Sequence, residues 1–112
     1  MGSELSTPHC QKDAALLDDD ATRARLAEIH MDWSCIDDGK GIQRTFHFKN
    51  YYQTIAFVNA LAWVAHAEDH HPDLTVGYNS CAVNYSTHSA GGLSKNDFIC
   101  AARVDALVAG DA

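Results

Sequence analysis

From Asn50 to Pro72 the chain reads NYYQTIAFVNALAWVAHAEDHHP. The stretch is rich in alanine and holds no glycine or proline before Pro72, which is the composition of a helix. Asn50 and Gln53 have the spacing of a capping box, in which each side chain satisfies a backbone N–H left unpaired in the first turn. The residue before a proline avoids helical angles, so the helix is predicted to end at the His70-His71-Pro72 corner. Ile55, Asn59, Ala62, Trp63 and His66 share one face, and Phe57, Leu61, Val64 and Glu68 another. Apolar residues wrap much of the circumference, which predicts burial on more than one side. On this helix His66 and His70 point the same way and Glu68 faces away from His70.

Working outward, MDWSCIDDGKGIQRTFHF precedes the helix, with turn chemistry at Asp38-Gly39 and Lys40-Gly41. In its second arm Ile42, Arg44, Phe46 and Phe48 alternate with Gln43, Thr45 and His47, the period of a half-buried strand. After Pro72, TVGYNSCAVNYST reads as two further strands around Asn79-Ser80. Gly91-Gly92 makes a loop, and Ser94-Lys95-Asn96-Asp97 has the form of a second capping box. It opens a last helix carrying Phe98, Ala101, Ala102, Val104, Ala106 and Leu107. At the other end, an Asp cap among Asp18 to Asp20 starts a short first helix, roughly Ala21 to His30. The order α-β-β-α-β-β-α predicts an α+β domain: a four-stranded antiparallel sheet with helices packed on one face.

The 112 residues suffice for one domain, read as a polar leader over residues 1–15 and a folded unit over 16–112. A formal charge of −7 argues against nucleic acid or an anionic membrane as partner, since both demand clustered Lys and Arg. No apolar run approaches the roughly 18 residues of a membrane span. The N-terminus has neither the basic nor the apolar region of a signal peptide. Met1-Gly2-Ser3-Glu4-Leu5-Ser6 fits the N-myristoylation pattern, though a solvated leader is the simpler reading. Cys10, Cys35, Cys81 and Cys100 form no CxxC pair, and with no secretory signal they are expected to be free thiols in the cytoplasm.

HAEDHHPDL, His66 to Leu74, crowds three histidines and three carboxylates together. A metal site, an acid–base site and a polar helix end all use such residues. His66 and His70 have a zinc-binding spacing, but Ala67 occupies the position where the metalloprotease pattern requires Glu. Helix C-termini favour His on their own account, because imidazole can bond the last carbonyls. His88 follows Ser86-Thr87 at a strand end, and Asp97 is most simply a cap residue. What favours chemistry is the set. If element ends converge on one edge of the sheet, several imidazoles share a pocket with a carboxylate that fixes their tautomer. Histidine is the side chain able both to give and to take protons near neutral pH.

His66-x3-His70-His71-Pro72, then Tyr78, His88 and Asp97 at fixed intervals, resembles the signature of the pterin-4a-carbinolamine dehydratases. Trp33, the Phe46-His47-Phe48 strand, Ser86-Thr87-His88 and Gly92-Leu93-Ser94 extend the match, which covers roughly Leu16 to Val108. The resemblance implies a hydro-lyase that removes water from a 4a-hydroxytetrahydropterin, the by-product of aromatic amino acid hydroxylases. It leaves a quinonoid dihydropterin for recycling to tetrahydrobiopterin. No metal and no organic cofactor is implied. The family's catalytic histidines map onto His70, His71 and His88 and its acidic partner onto Asp97; His66, Asp69, Pro72 and Trp33 are expected to contact the substrate. A homodimer or homotetramer is implied, as is a functional link to an aromatic amino acid hydroxylase. One departure is His66, where the family commonly carries Glu. The resemblance also implies a second class of function, since some members serve as dimerisation cofactors of a transcription factor and related folds assist assembly of a carbon-fixing enzyme.

Overall fold

In the computed structural model, which describes residues 9–109, Asn50 caps the central helix by accepting the Gln53 N–H on Oδ1 at 2.8 Å. Gln53 Oε1 accepts from the N–H of Lys49 at 3.1 Å, one residue earlier than a strict capping box would have it. The helix, α2, runs Tyr51–Glu68 and buries one stripe: Thr54, Phe57, Leu61 and Ala65. Burial on more than one side is not found within the chain, for Tyr52 and Trp63 are 81% and 71% exposed. The myristoylation pattern at residues 1–6 lies outside the described residues.

Helix α2 stops short of the proline. Asp69 adopts a left-handed conformation (φ 51°), and its N–H and that of His70 turn back to the carbonyls of His66 and Ala65 at 3.2 and 3.0 Å. This is the Schellman arrangement that satisfies the last carbonyls of a helix, and aspartate is among the few non-glycine residues to enter it readily. His70 and His71 therefore leave the helix. The shared helical face expected of His66 and His70 does not form.

Strands β1 (Ser34–Ile36), β2 (Gly41–His47), β3 (Asp73–Val76) and β4 (Ser80–Tyr85) make one antiparallel sheet in the order β1-β2-β4-β3. The two hairpins meet along β2 and β4, with Ile42 opposite Tyr85 and Phe46 opposite Cys81. Burial alternates along β4, where Cys81, Val83 and Tyr85 are inside and their neighbours half-exposed. One sheet face is thus core, as the period of two requires. Phe57 from α2 meets Phe46 on that face with ring centroids 4.7 Å apart. Burying a side chain of this size contributes about 1.5–3 kcal/mol.

Helix α3 (Lys95–Val108) is the most buried element, with Asn96 through Ala102 and Val104 all inside. It packs beside α2, while the short α1 (Asp19–Leu26), capped by Asp18, touches its side. Trp33 belongs to this core. Its indole is 3% exposed, meets Phe46 edge-on at 6.2 Å, and gives its N–H to Asp105 at 2.9 Å. Arg44 reaches the same carboxylate at 2.7 Å. The segment before α1 is also held: Leu17 N–H donates to Leu93 C=O at 2.9 Å, and Leu16 bridges Ser94.

Candidate active site

The N-terminus of α3 is built by Ser94 and Asp97. Ser94 Oγ accepts the N–H of Asn96 at 3.3 Å, and Asp97 Oδ2 accepts the N–H of Ser94 at 2.9 Å, closing a capping box. The loop before it is tied by Thr87 and Gly92, whose backbones bond each other, with Gly91 left-handed (φ 79°) in between. That turn sets Thr87 over the cap. Its hydroxyl donates to Asp97 Oδ2 at 2.8 Å and lies 2.7 Å from Ser94 Oγ. Asp97 has no solvent exposure. A buried carboxylate is tolerated only where donors surround it, and this one has an N–H and an O–H on a single oxygen.

Its other oxygen faces His70. The distance from Asp97 Oδ1 to His70 Nε2 is 2.6 Å, and the imidazole stacks on Tyr85, centroids 5.5 Å apart and planes 15° from parallel. The His70 side chain keeps 13% exposure. A carboxylate that already accepts from Ser94 and Thr87 can accept from the imidazole Nε2–H too, and Nδ1 then lies on the side of the ring away from Asp97. Two links of Tyr85 matter here. Its ring fixes the plane of His70, and its hydroxyl is buried near the Cys100 thiol, so burial first and Cys100 second push the phenol pKa far above its usual value.

His70 forms part of the wall of a cavity of about 430 Å³. Residues 10–14, Glu68, Asp69, Thr87, Ser89 and Asn96 complete the lining. The volume falls within the roughly 300–1,000 Å³ of small-molecule sites. Asp69 reaches this wall as a consequence of its left-handed turn. Of the other residues named from sequence, His71 and His88 are exposed, one next to His70 and the other next to Thr87 in the chain; neither side chain is hydrogen-bonded within the described residues, and the His88 carbonyl accepts the Gly91 N–H at 3.0 Å. Neither lines this cavity. His66 is exposed on the last turn of α2, and Pro72 is half-buried ahead of β3. Trp33 is the exception: the core claims its ring, Tyr85 stands between it and His70, and its one donor is used by Asp105. Among the described residues, no three His, Cys, Asp or Glu side chains gather in a metal-binding group.

Glu68 does not face away from His70, because the Schellman turn carries the chain back across the helix end. Its side chain is 4% exposed and holds the N-terminal segment: Oε1 accepts the Cys10 N–H at 2.7 Å and Oε2 lies 2.8 Å from His9 Nδ1. Burial by itself would raise its pKa, but the Cys10 N–H, His9 and Arg103 together outweigh that and hold it below the usual carboxylate value. Asn96 clamps the same segment, taking the Gln11 N–H on Oδ1 (2.9 Å) and returning Nδ2–H to the Gln11 carbonyl (2.8 Å). Residues 9–14, expected to be a loose leader, thus form a strap along the cavity.

Comparison with known proteins shows the family. The family model described as pterin 4 alpha carbinolamine dehydratase matches residues 15–107. The chain belongs to the pterin-4a-carbinolamine dehydratase family. A relative from Legionella pneumophila (strain Corby), provisionally named a pterin-4-alpha-carbinolamine dehydratase, is 47% identical over 111 residues, covering 96% of this chain and 98% of that one. One of the same provisional name from Nitrosomonas eutropha is 63% identical over 83 residues, 74% of this chain and 72% of its own. Among solved structures, a transcriptional coactivator/pterin dehydratase from Brucella melitensis superposes with a TM-score of 0.77 at 28% identity, over 81% of this chain and 96% of that one. A pterin dehydratase-like protein identified as a RuBisCO assembly factor in the alpha-carboxysome gives 0.61 at 28% identity, over 71% and 93%.

Within this dehydratase family fold, sequence reasoning assigned no role at the site to Thr87, Ser94, Tyr85, Glu68 or Asn96. Ser94 was legible as a cap, and Tyr85 only as part of a strand. Nothing local marks Thr87 or Asn96, whose partners lie on other segments.

Proposed function

We propose that the protein dehydrates a 4a-hydroxytetrahydropterin to the quinonoid dihydropterin by histidine acid–base catalysis. The observation that carries this reading is the 2.6 Å contact between buried Asp97 and His70 at the wall of a cavity of small-molecule size. In the reaction the C4a–O bond breaks, the hydroxyl leaves as water after taking a proton, and N5 gives up its proton. A placed proton donor or acceptor contributes about 10²–10⁴-fold. Asp97 directs the Nε2–H of His70 towards itself, so Nδ1 is the atom left to take a proton. His88 supplies the second proton transfer, His71 holds the ring and stabilises developing charge, and His66, Asp69 and Pro72 border the substrate. Trp33 supports the plane of Tyr85 from the core. This chemistry calls for no metal and no organic cofactor. The family supports a homodimer or homotetramer in the cytoplasm, recycling the pterin of an aromatic amino acid hydroxylase.

The test is the decay of enzymatically generated carbinolamine in the presence of His70→Ala and His88→Ala variants. Both are expected to fall towards the rate in buffer. Wild-type rates in both would end the assignment.

A second reading is favoured by the two structural relatives, one titled a coactivator and the other an assembly factor. In it, the fold acts as a non-catalytic dimerisation or assembly cofactor. Co-purification with a protein partner that survives replacement of His70, His71 and His88, together with no dehydratase activity in the wild type, would decide for it.

A further inference from the structure

The sulfurs of Cys10 and Cys100 lie 3.4 Å apart although ninety residues separate them in the chain. Cys100 is in the middle of α3 with no exposed surface, and Cys10 is half-buried on the strap. The strap is registered on both sides of the thiol, by Glu68 on the Cys10 N–H and by the double Asn96 clamp on Gln11. The pairing of the sulfurs is therefore set by the backbone and not by two wandering side chains. Neither thiol has a part in the proposed dehydration.

We propose that Cys10 and Cys100 are a thiol-oxidation site, closing to a disulfide that fastens the strap to α3 when a peroxide reaches the protein. Cys10, the sulfur with access to solvent, attacks the peroxide. An S–O bond forms, the O–O bond breaks, and a sulfenic acid and water result. The Cys100 sulfur then attacks that of Cys10. An S–S bond forms, the S–O bond breaks, and the departing hydroxide takes the Cys100 proton to leave as a second water. Two thiols lose two electrons and two protons, and one peroxide is reduced to two waters. A disulfide is about 2.05 Å long, so the sulfurs must close by roughly 1.4 Å, which rotation on the surface strap supplies.

Cys100 is the less suited of the two thiols to meet the peroxide first. Its pKa is pushed far up, first by the hydrogen bond with Cys10 and then by burial. The other two thiols have different surroundings: Cys35 is exposed on the edge strand β1, and Cys81 is fully buried in β4.

The test uses the full chain, treated with hydrogen peroxide at neutral pH, alkylated under denaturing conditions and digested with trypsin without reductant. Cleavage after Lys12, Lys95 and Arg103 puts the two cysteines in peptides 1–12 and 96–103. The expected product joins these peptides, consumes two of the four thiols and is reversed by dithiothreitol; Cys10→Ser abolishes it. Oxidation of Cys35 to completion with no 1–12/96–103 product would overturn the proposal, as would Cys10 found only as over-oxidised sulfinic acid. The linkage is read by mass and not by turnover, so it stands or falls separately from the dehydratase assignment.

Discussion

Oδ1 of Asp97 lies 2.6 Å from Nε2 of His70, while Oδ2 of the same carboxylate takes the Ser94 N–H and the Thr87 hydroxyl at 2.9 and 2.8 Å. One buried group therefore opens α3, secures the loop before it and fixes an imidazole that emerges from the end of α2. Folding and the proposed chemistry draw on the same carboxylate. Their contributions can be separated because each uses a different oxygen.

Asp97→Asn keeps the volume but turns one acceptor into a donor, which must face either His70 or the Thr87–Ser94 pair. The carbinolamine dehydration rate is expected to fall by about 10²-fold or more. Unfolding free energy is expected to drop by about 1–3 kcal/mol, as for a buried donor left unpaired. Denaturant titration and carbinolamine decay measure the two effects. A destabilised variant with the parental rate would confine Asp97 to capping.

Thr87→Val removes the hydroxyl that bridges Asp97 and Ser94 without changing the shape of the side chain. A loss of about 1–3 kcal/mol is expected, with a smaller fall in kcat than for Asp97→Asn, because the His70 contact remains. Thr87→Ser should restore most of both. Failure of that rescue would mean that packing, and not the hydroxyl, holds the loop.

Glu68 gives a pH dependence with a definite sign. Its folded pKa is below the ordinary 4.5, so the stability it contributes is present above about pH 4.5 and lost as pH falls through the lower, folded value. Denaturant unfolding from pH 7 down to pH 3 should reveal this slope in the wild type and a flatter one in Glu68→Gln. Equal slopes would show that other carboxylates carry the acid response.

Asn96→Ala cuts both hydrogen bonds to Gln11 while leaving the His70–Asp97 contact in place. Backbone amides of residues 9–14 are expected to exchange with solvent at least tenfold faster, read by mass spectrometry on the N-terminal peptide. Unchanged protection would show that Glu68 and the Cys10 thiol contacts hold the strap without the clamp.

Trp33→Phe removes the N–H donated to Asp105 and part of the packing on Phe46. Burial already raises the Asp105 pKa against the pull of Trp33 and Arg44, so losing one of these donors leaves the carboxylate worse placed. Stability is expected to fall by about 1–3 kcal/mol with KM for the pterin unchanged. A raised KM at normal stability would return Trp33 to the substrate site.

The element order, the antiparallel sheet, the caps at Asn50 and Ser94 and the inward positions of Ile42 and Phe46 were legible in the chain. Each depends on neighbours within a few residues, through period, turn chemistry or capping. The spacing of His70, His71, His88 and Asp97 was equally plain as a pattern of residues. The tertiary structure decided where α2 ends and with it what His70 meets. Asp69 takes a left-handed turn, a backbone choice that no periodicity encodes, and this sends His70 to Asp97, while the strap brings Cys10 to Glu68 at the helix end. It also decided that Trp33 belongs to the core and that residues 9–14 form a wall. Those outcomes rest on contacts between segments 27 to 90 residues apart, where packing and not local preference sets the energy.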